Sequence, residues 1–86
     1  MAGTRVLYFA WLRERVGHAE EVVQPPPSVA TVGDLIAWLR ALDAPHASAF
    51  ADADLVRAAV NQDFAHTNTP FADGDEVAFF PPITGG

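Results

Sequence analysis

The sequence has no cysteine and no lysine, and its five basic residues, all arginine, stand against eleven acids for a formal charge of −6. Without cysteine there is no disulfide framework, no thiolate nucleophile and no cysteine to complete a zinc site. An acidic chain has the wrong sign for neutralising phosphates, so neither nucleic acid nor an anionic membrane surface is expected as a partner. No apolar run approaches the ~20 residues that span a bilayer. Met1-Ala2-Gly3-Thr4-Arg5 leads into a strand without a cleavable apolar segment, so a soluble, cytoplasmic protein is expected. What is present is apolar matter: half of the 86 residues are hydrophobic and only 19% are charged. That is enough to fold one small domain unaided, with no room for a second core.

The pattern along the chain is mixed. Residues 4–11 are rich in β-formers (Val6, Leu7, Tyr8, Phe9) and lead into Trp11-Leu12-Arg13-Glu14-Arg15-Val16, a short helix closed by Gly17. Residues 20–24 read as a second strand, stopped by Pro25-Pro26-Pro27, and two strands in sequence suggest a hairpin. Thr31 is placed to cap a helix, with Asp34 near its positive end. Val32, Leu35, Ile36, Leu39 and Leu42 then form one apolar stripe that packs on the sheet. Residues 44–53, alanine-rich with Pro45, read as a loop plus a weak helical turn, and residues 55–60 as the next strand. Phe64-Ala65-His66 is a short pairing segment, and Asp73-Gly74 turns the chain into a last strand over residues 76–80. Strand, strand, helix, strand, short strand, strand with one dominant helix predicts an α+β, β-grasp (ubiquitin-like) mixed sheet curled around that helix. A ferredoxin-like fold, which needs a second long helix, is the alternative. The expected division is a β-grasp domain over 1–82 and an extended tail over 83–86.

Side-chain chemistry is sparse. His18, His46 and His66 fall in or beside predicted loops without metal-ligand spacing, so they are expected to be solvated loop histidines and no metal site is expected. Asp73, Asp75 and Glu76 lack the spaced ligands of a calcium loop and read as a solvated turn. Gly85-Gly86 is not a phosphate loop, which would need a following helix. The distinctive feature is Pro81-Pro82-Ile83-Thr84-Gly85-Gly86. Its prolines disfavour helix and ladder, so an extended arm is expected, with a reach of roughly 20 Å at ~3.3 Å per residue. Two residues without Cβ atoms let such an arm pass a narrow constriction and leave the Gly86 carboxylate unhindered for another protein's active site.

Strand alternation also predicts a partner surface. Tyr8 and Phe9 must point to opposite faces, as must Phe79 and Phe80. Val6 with Tyr8 and Val77 with Phe79 read as core sets, leaving Phe9 and Phe80, joined by Phe64, as an exposed patch near the tail.

Four stretches then carry a family resemblance over essentially the whole chain. They are Val6-Leu7-Tyr8-Phe9-Ala10-Trp11-Leu12-Arg13-Glu14, Thr31-Val32-Gly33-Asp34-Leu35, Ala58-Ala59-Val60-Asn61-Gln62, and the run from Asp73-Gly74-Asp75-Glu76 through Phe79-Phe80-Pro81-Pro82 to Gly86. Together they resemble the small, sulfur-carrying subunit of molybdopterin synthase, a ubiquitin-like β-grasp family. Thr84, where serine is also usual, and Trp11, at an often polar position, are the departures, and neither touches the chemistry.

The resemblance implies that an activating enzyme related to those of ubiquitin uses ATP to adenylate the Gly86 carboxylate, and that sulfur then replaces AMP to leave a thiocarboxylate. It further implies that Gly85 and Thr84 thread the loaded tail into a large subunit, where sulfur passes to cyclic pyranopterin monophosphate to build a dithiolene. Phe9, Phe64, Phe80, Pro81 and Pro82 are the implied partner-binding residues. The implied partners are the large subunit, in a heterotetramer of two small and two large subunits, the adenylyltransferase and a sulfur donor protein. The chain itself is expected to bind no cofactor and not to be an enzyme alone. Carriers for thiazole, cysteine or tRNA thiolation share the Gly-Gly end, and a protein modifier or a non-catalytic ubiquitin-like adaptor are further alternatives.

Overall fold

The computed structural model describes residues 3–82. Five strands form one sheet in the order β2-β1-β5-β3-β4, with β1 (Thr4–Tyr8) and β2 (Glu20–Val23) at one side and β3 (Arg57–Val60) and β4 (Asp63–Ala65) at the other. The central strand β5 (Glu76–Phe80) runs parallel to β1 and antiparallel to β3. A parallel neighbour needs a crossover, and the segment between β2 and β3 supplies the helical layer that covers one face. That layer holds α2 (Val32–Arg40) and α3 (Ala44–Ala49), with α1 (Trp11–Val16) joining β1 to β2. The β-grasp expectation is met, and the six-residue α3 is too short for the ferredoxin-like alternative.

Each element has a local cause. Thr31 closes a capping box at α2: its Oγ1 accepts from the Asp34 amide (3.2 Å), and Asp34 Oδ2 accepts from the amides of Ala30 (3.1 Å) and Thr31 (3.2 Å). These bonds hold the Asp34 carboxyl below its ordinary value. Gly17 ends α1 in the left-handed conformation, its amide returning to the Arg13 carbonyl. Asn61 and Gln62, both at positive φ, make the two-residue turn between β3 and β4, of the primed kind that matches strand twist. Asn61 Oδ1 also accepts from the Glu76 amide at 3.0 Å, locking that turn to β5. Val6, Tyr8, Leu12, Leu35, Leu39, Phe50, Val77 and Phe79 are buried between the sheet and the helices. Phe79 packs edge-on to Phe50 at 5.1 Å and stacks on Tyr8 at 6.4 Å.

Several boundaries differ from expectation. The first strand ends at Tyr8 because the chain turns sharply at Ala10, whose φ of 55° and ψ of −133° suit the first central position of a type II′ turn. Leu42 lies beyond the end of α2 and is 44% exposed, so it leaves the predicted stripe. Residues 44–53 hold a true helix, because Asp43 caps it through the His46 amide at 3.0 Å and Pro45 suits its first turn. The third strand begins at Arg57, after a 3-10 turn at Ala53–Leu55.

Candidate functional site

The face of the sheet away from the helices carries the predicted patch. Pairing aligns Glu20, Leu7, Ala78, Ala59 and Phe64 in one row across all five strands. Next to it stands Phe80, opposite Arg57, and Phe9 follows directly after β1. Phe64 is 81% exposed and Phe9 49%, whereas Phe80 is half-buried with its ring 6.1 Å from that of Phe64. Their alternates Val6, Tyr8, Val77 and Phe79 are all buried, as the alternation predicts. Two exposed aromatics and the half-buried Phe80 beside a floor of two alanines and a leucine form the kind of surface that anchors a protein interface. The floor, Ala59 and Ala78 with Leu7, was not legible as part of the patch. Alanine in a strand carries no signal until the register places it between aromatics.

The patch lies where β5 leaves the sheet. The Phe9 amide donates to the Phe79 carbonyl at 3.1 Å, tying that corner of β1 to the end of the central strand. Pro81 and Pro82 continue from Phe80 and are half-buried, in no regular element. Thr84, Gly85 and Gly86 lie outside the described residues, as does the rest of the 83–86 segment.

On the helical side of the sheet the structure corrects the reading of one histidine. His46 is not a solvated loop residue but lies 5% exposed on α3. Its Nδ1 meets Asp43 Oδ1 at 2.6 Å and its Nε2 meets Glu21 Oε2 at 2.7 Å. The Tyr8 hydroxyl donates to the same Glu21 oxygen at 2.6 Å, and His18 Nε2 stands 3.3 Å from Glu21 Oε1. Burial alone would lower the His46 imidazole's affinity for its proton, but bonds to Glu21 and Asp43 outweigh it and raise the pKa. Burial alone would likewise raise Glu21, yet the bonds from His46 and Tyr8 bring it below its ordinary value. The Tyr8 hydroxyl is pushed well up, first by burial and then by its bond to the Glu21 carboxylate. Of the two partners of His46, Asp43 caps its own helix and Glu21 lies on β2, 25 residues away in sequence, so sequence spacing gave no sign of the cluster. His18 and His66, by contrast, are exposed as expected.

No helix among the described residues is long and apolar enough to cross a membrane. The model of the ThiS family matches residues 6–86. The chain is 46% identical to the molybdopterin synthase sulfur carrier subunit of Escherichia coli, over 95% of this chain and 98% of that one. Among solved structures, a putative molybdopterin converting factor subunit 1 from Pyrococcus furiosus superposes with a TM-score of 0.76 at 32% identity, covering 93% of this chain and 97% of that one. The small archaeal modifier protein 1 of Haloferax volcanii superposes with a TM-score of 0.68 at 30% identity, covering 96% and 100%.

Proposed function

The chain belongs to the ThiS family, and from that premise we propose that it is the sulfur carrier subunit of a molybdopterin synthase, acting in molybdenum cofactor biosynthesis in the cytoplasm. In this reading Gly86 is adenylated by an ATP-using enzyme, its carboxylate becomes a thiocarboxylate, and the sulfur passes to cyclic pyranopterin monophosphate in the large subunit. The chemistry is coherent for a chain without cysteine. A carboxylate is a poor electrophile until one oxygen becomes a good leaving group, and the thiocarboxylate that follows is itself a sulfur nucleophile. The chain is then a carrier and co-substrate, not an enzyme by itself, and the large subunit supplies the catalytic groups.

The observation that carries the reading is the coincidence of the aromatic face with the exit of β5. Phe9, Phe64 and Phe80 surround the end of the strand that leads into Pro81-Pro82-Ile83-Thr84-Gly85-Gly86. A partner docked on that face is placed next to the root of the segment that would react. A large subunit and an activating enzyme using this face in turn would each meet the same anchor. Deleting Gly86 tests the proposal: the shortened chain should fold and bind the large subunit yet yield no molybdopterin with precursor and sulfur source supplied. Full activity of that variant would make the chain an adaptor instead. The likeness to small archaeal modifier protein 1 favours a second reading, in which the activated carboxylate forms an amide on a target protein. Covalent conjugates of the chain in cell extracts, lost on deleting Gly86, would mark that activity.

A further inference from the structure

The cluster at the β2 edge has the parts of a metal centre, and it lies across the sheet from the aromatic face. His18 Nε2, one Glu21 carboxylate oxygen and a His46 ring nitrogen all lie within 4.8 Å of one another. Two imidazoles and a carboxylate are the donor set of zinc-class cations, which need bonds of roughly 2.0–2.2 Å and hence donor atoms roughly 3.3 Å apart in a tetrahedral site. The His18 to Glu21 distance of 3.3 Å already has that value. That distance is to Glu21 Oε1, whereas His46 Nε2 faces the other oxygen, Oε2, at the hydrogen-bond distance of 2.7 Å, so a cation that replaces the proton on Nε2 must open this contact by about half an ångström while the carboxylate turns one oxygen toward both rings.

An independent feature separates this group from a chance meeting of polar side chains: two of the three ligands, His46 and Glu21, each have an outer partner that aims them. Asp43 Oδ1 holds His46 Nδ1 at 2.6 Å, which presents Nε2 toward Glu21, and the Tyr8 hydroxyl holds Glu21 Oε2 at 2.6 Å. A carboxylate behind a ligating imidazole is the arrangement that fixes the ring and strengthens it as a donor. His46 is buried while the His18 side chain is 46% exposed. Two ligands are therefore preset, and the third closes from the solvent side, leaving a fourth position for water. We infer that His18, Glu21 and His46 form a binding site for a divalent transition-metal cation of the zinc class, joining the α1–β2 turn, the edge strand β2 and the helix α3.

The test is titration of the untagged, chelator-stripped chain with zinc ion at about pH 8, where competing protons are scarce, followed by calorimetry and by the visible spectrum of the cobalt form. The expected result is one equivalent bound and cobalt bands of a four-coordinate nitrogen and oxygen site. His18→Ala, at a half-exposed position, should leave the circular dichroism unchanged and weaken binding at least tenfold, whereas His66→Ala should leave it unchanged. Absence of stoichiometric binding overturns the inference. So does undiminished binding by His18→Ala, or equal weakening by His18→Ala and His66→Ala, which would mark scattered surface binding. The readout involves no sulfur chemistry, so its result is independent of the carrier reading.

Discussion

Truncating adjacent aromatics on β5 should have opposite consequences. Phe79 is fully buried, with Phe50 at 5.1 Å and Tyr8 at 6.4 Å. Phe79→Ala removes a core ring at a cost of roughly 3–5 kcal/mol. At ~4–8 °C per kcal/mol for a domain of this size, the melting temperature falls by roughly 12–40 °C. Total stability at ~0.05–0.15 kcal/mol per residue is on the order of 4–13 kcal/mol, so this loss removes roughly a quarter of it at the least and all of it at the most. Phe80, one residue on, is half-buried on the other face with Phe64 as its neighbour. Half of the ~1.5–3 kcal/mol for a fully buried side chain is about 1 kcal/mol, and the melting temperature should fall by roughly 4–8 °C. If Phe80 anchors the partner, its loss costs at least about 2 kcal/mol of binding, a roughly 30-fold weaker Kd for the large subunit. Thermal melts and calorimetric titration on both variants read the two effects separately. Equal large drops in melting temperature would refute the face assignment, and an unchanged Kd for Phe80→Ala would refute the anchor.

Ala10→Gly should raise the melting temperature by several degrees, because φ of 55° with ψ of −133° strains an alanine by ~1–3 kcal/mol and suits a glycine; a lower melting temperature would contradict the strain. The Asp34 carboxyl, held below its ordinary value of 3.8 by the amides of Ala30 and Thr31, contributes stability fully present above that value and lost as pH falls through the lower folded value. The melting-temperature gap between wild type and Asp34→Ala should accordingly close on acidification below about 3.8, and a gap independent of pH would remove the carboxylate from the capping box. Gly85→Val, which adds a branched side chain without altering the terminal carboxylate, should bind its partners normally but turn over slowly at saturation; normal turnover would remove the steric reason for the double glycine.

Much of the fold could be read from local signals. The Thr31 and Asp34 pair announced the start of α2, Gly17 the end of α1, and the alternation of Val77 with Phe79 the buried side of β5. Those signals act within a few residues, so they survive without tertiary context. What escaped depends on distant partners. Helix α3 is alanine-rich with a proline and capped locally by Asp43, but the burial of His46 on it depends on Glu21 from another element. The stripe ran one turn too far to Leu42 because periodicity does not show where the chain leaves the sheet. The aromatic patch was legible from alternation alone. Its alanine floor and the His18, Glu21 and His46 cluster were not, because both are products of register and packing.

The carrier reading rests on the carboxylate of Gly86, and intact-mass measurement of the chain addresses it directly. The chain would be incubated with a ubiquitin-activating-enzyme-like adenylyltransferase, ATP and a sulfur donor, beside the Escherichia coli carrier as a positive control. Exchange of one carboxylate oxygen for sulfur predicts a gain of ~16 Da, confined to the peptide that contains Gly86 and absent when ATP is withheld. An unchanged mass for this chain, in a reaction that converts the control, would contradict the account.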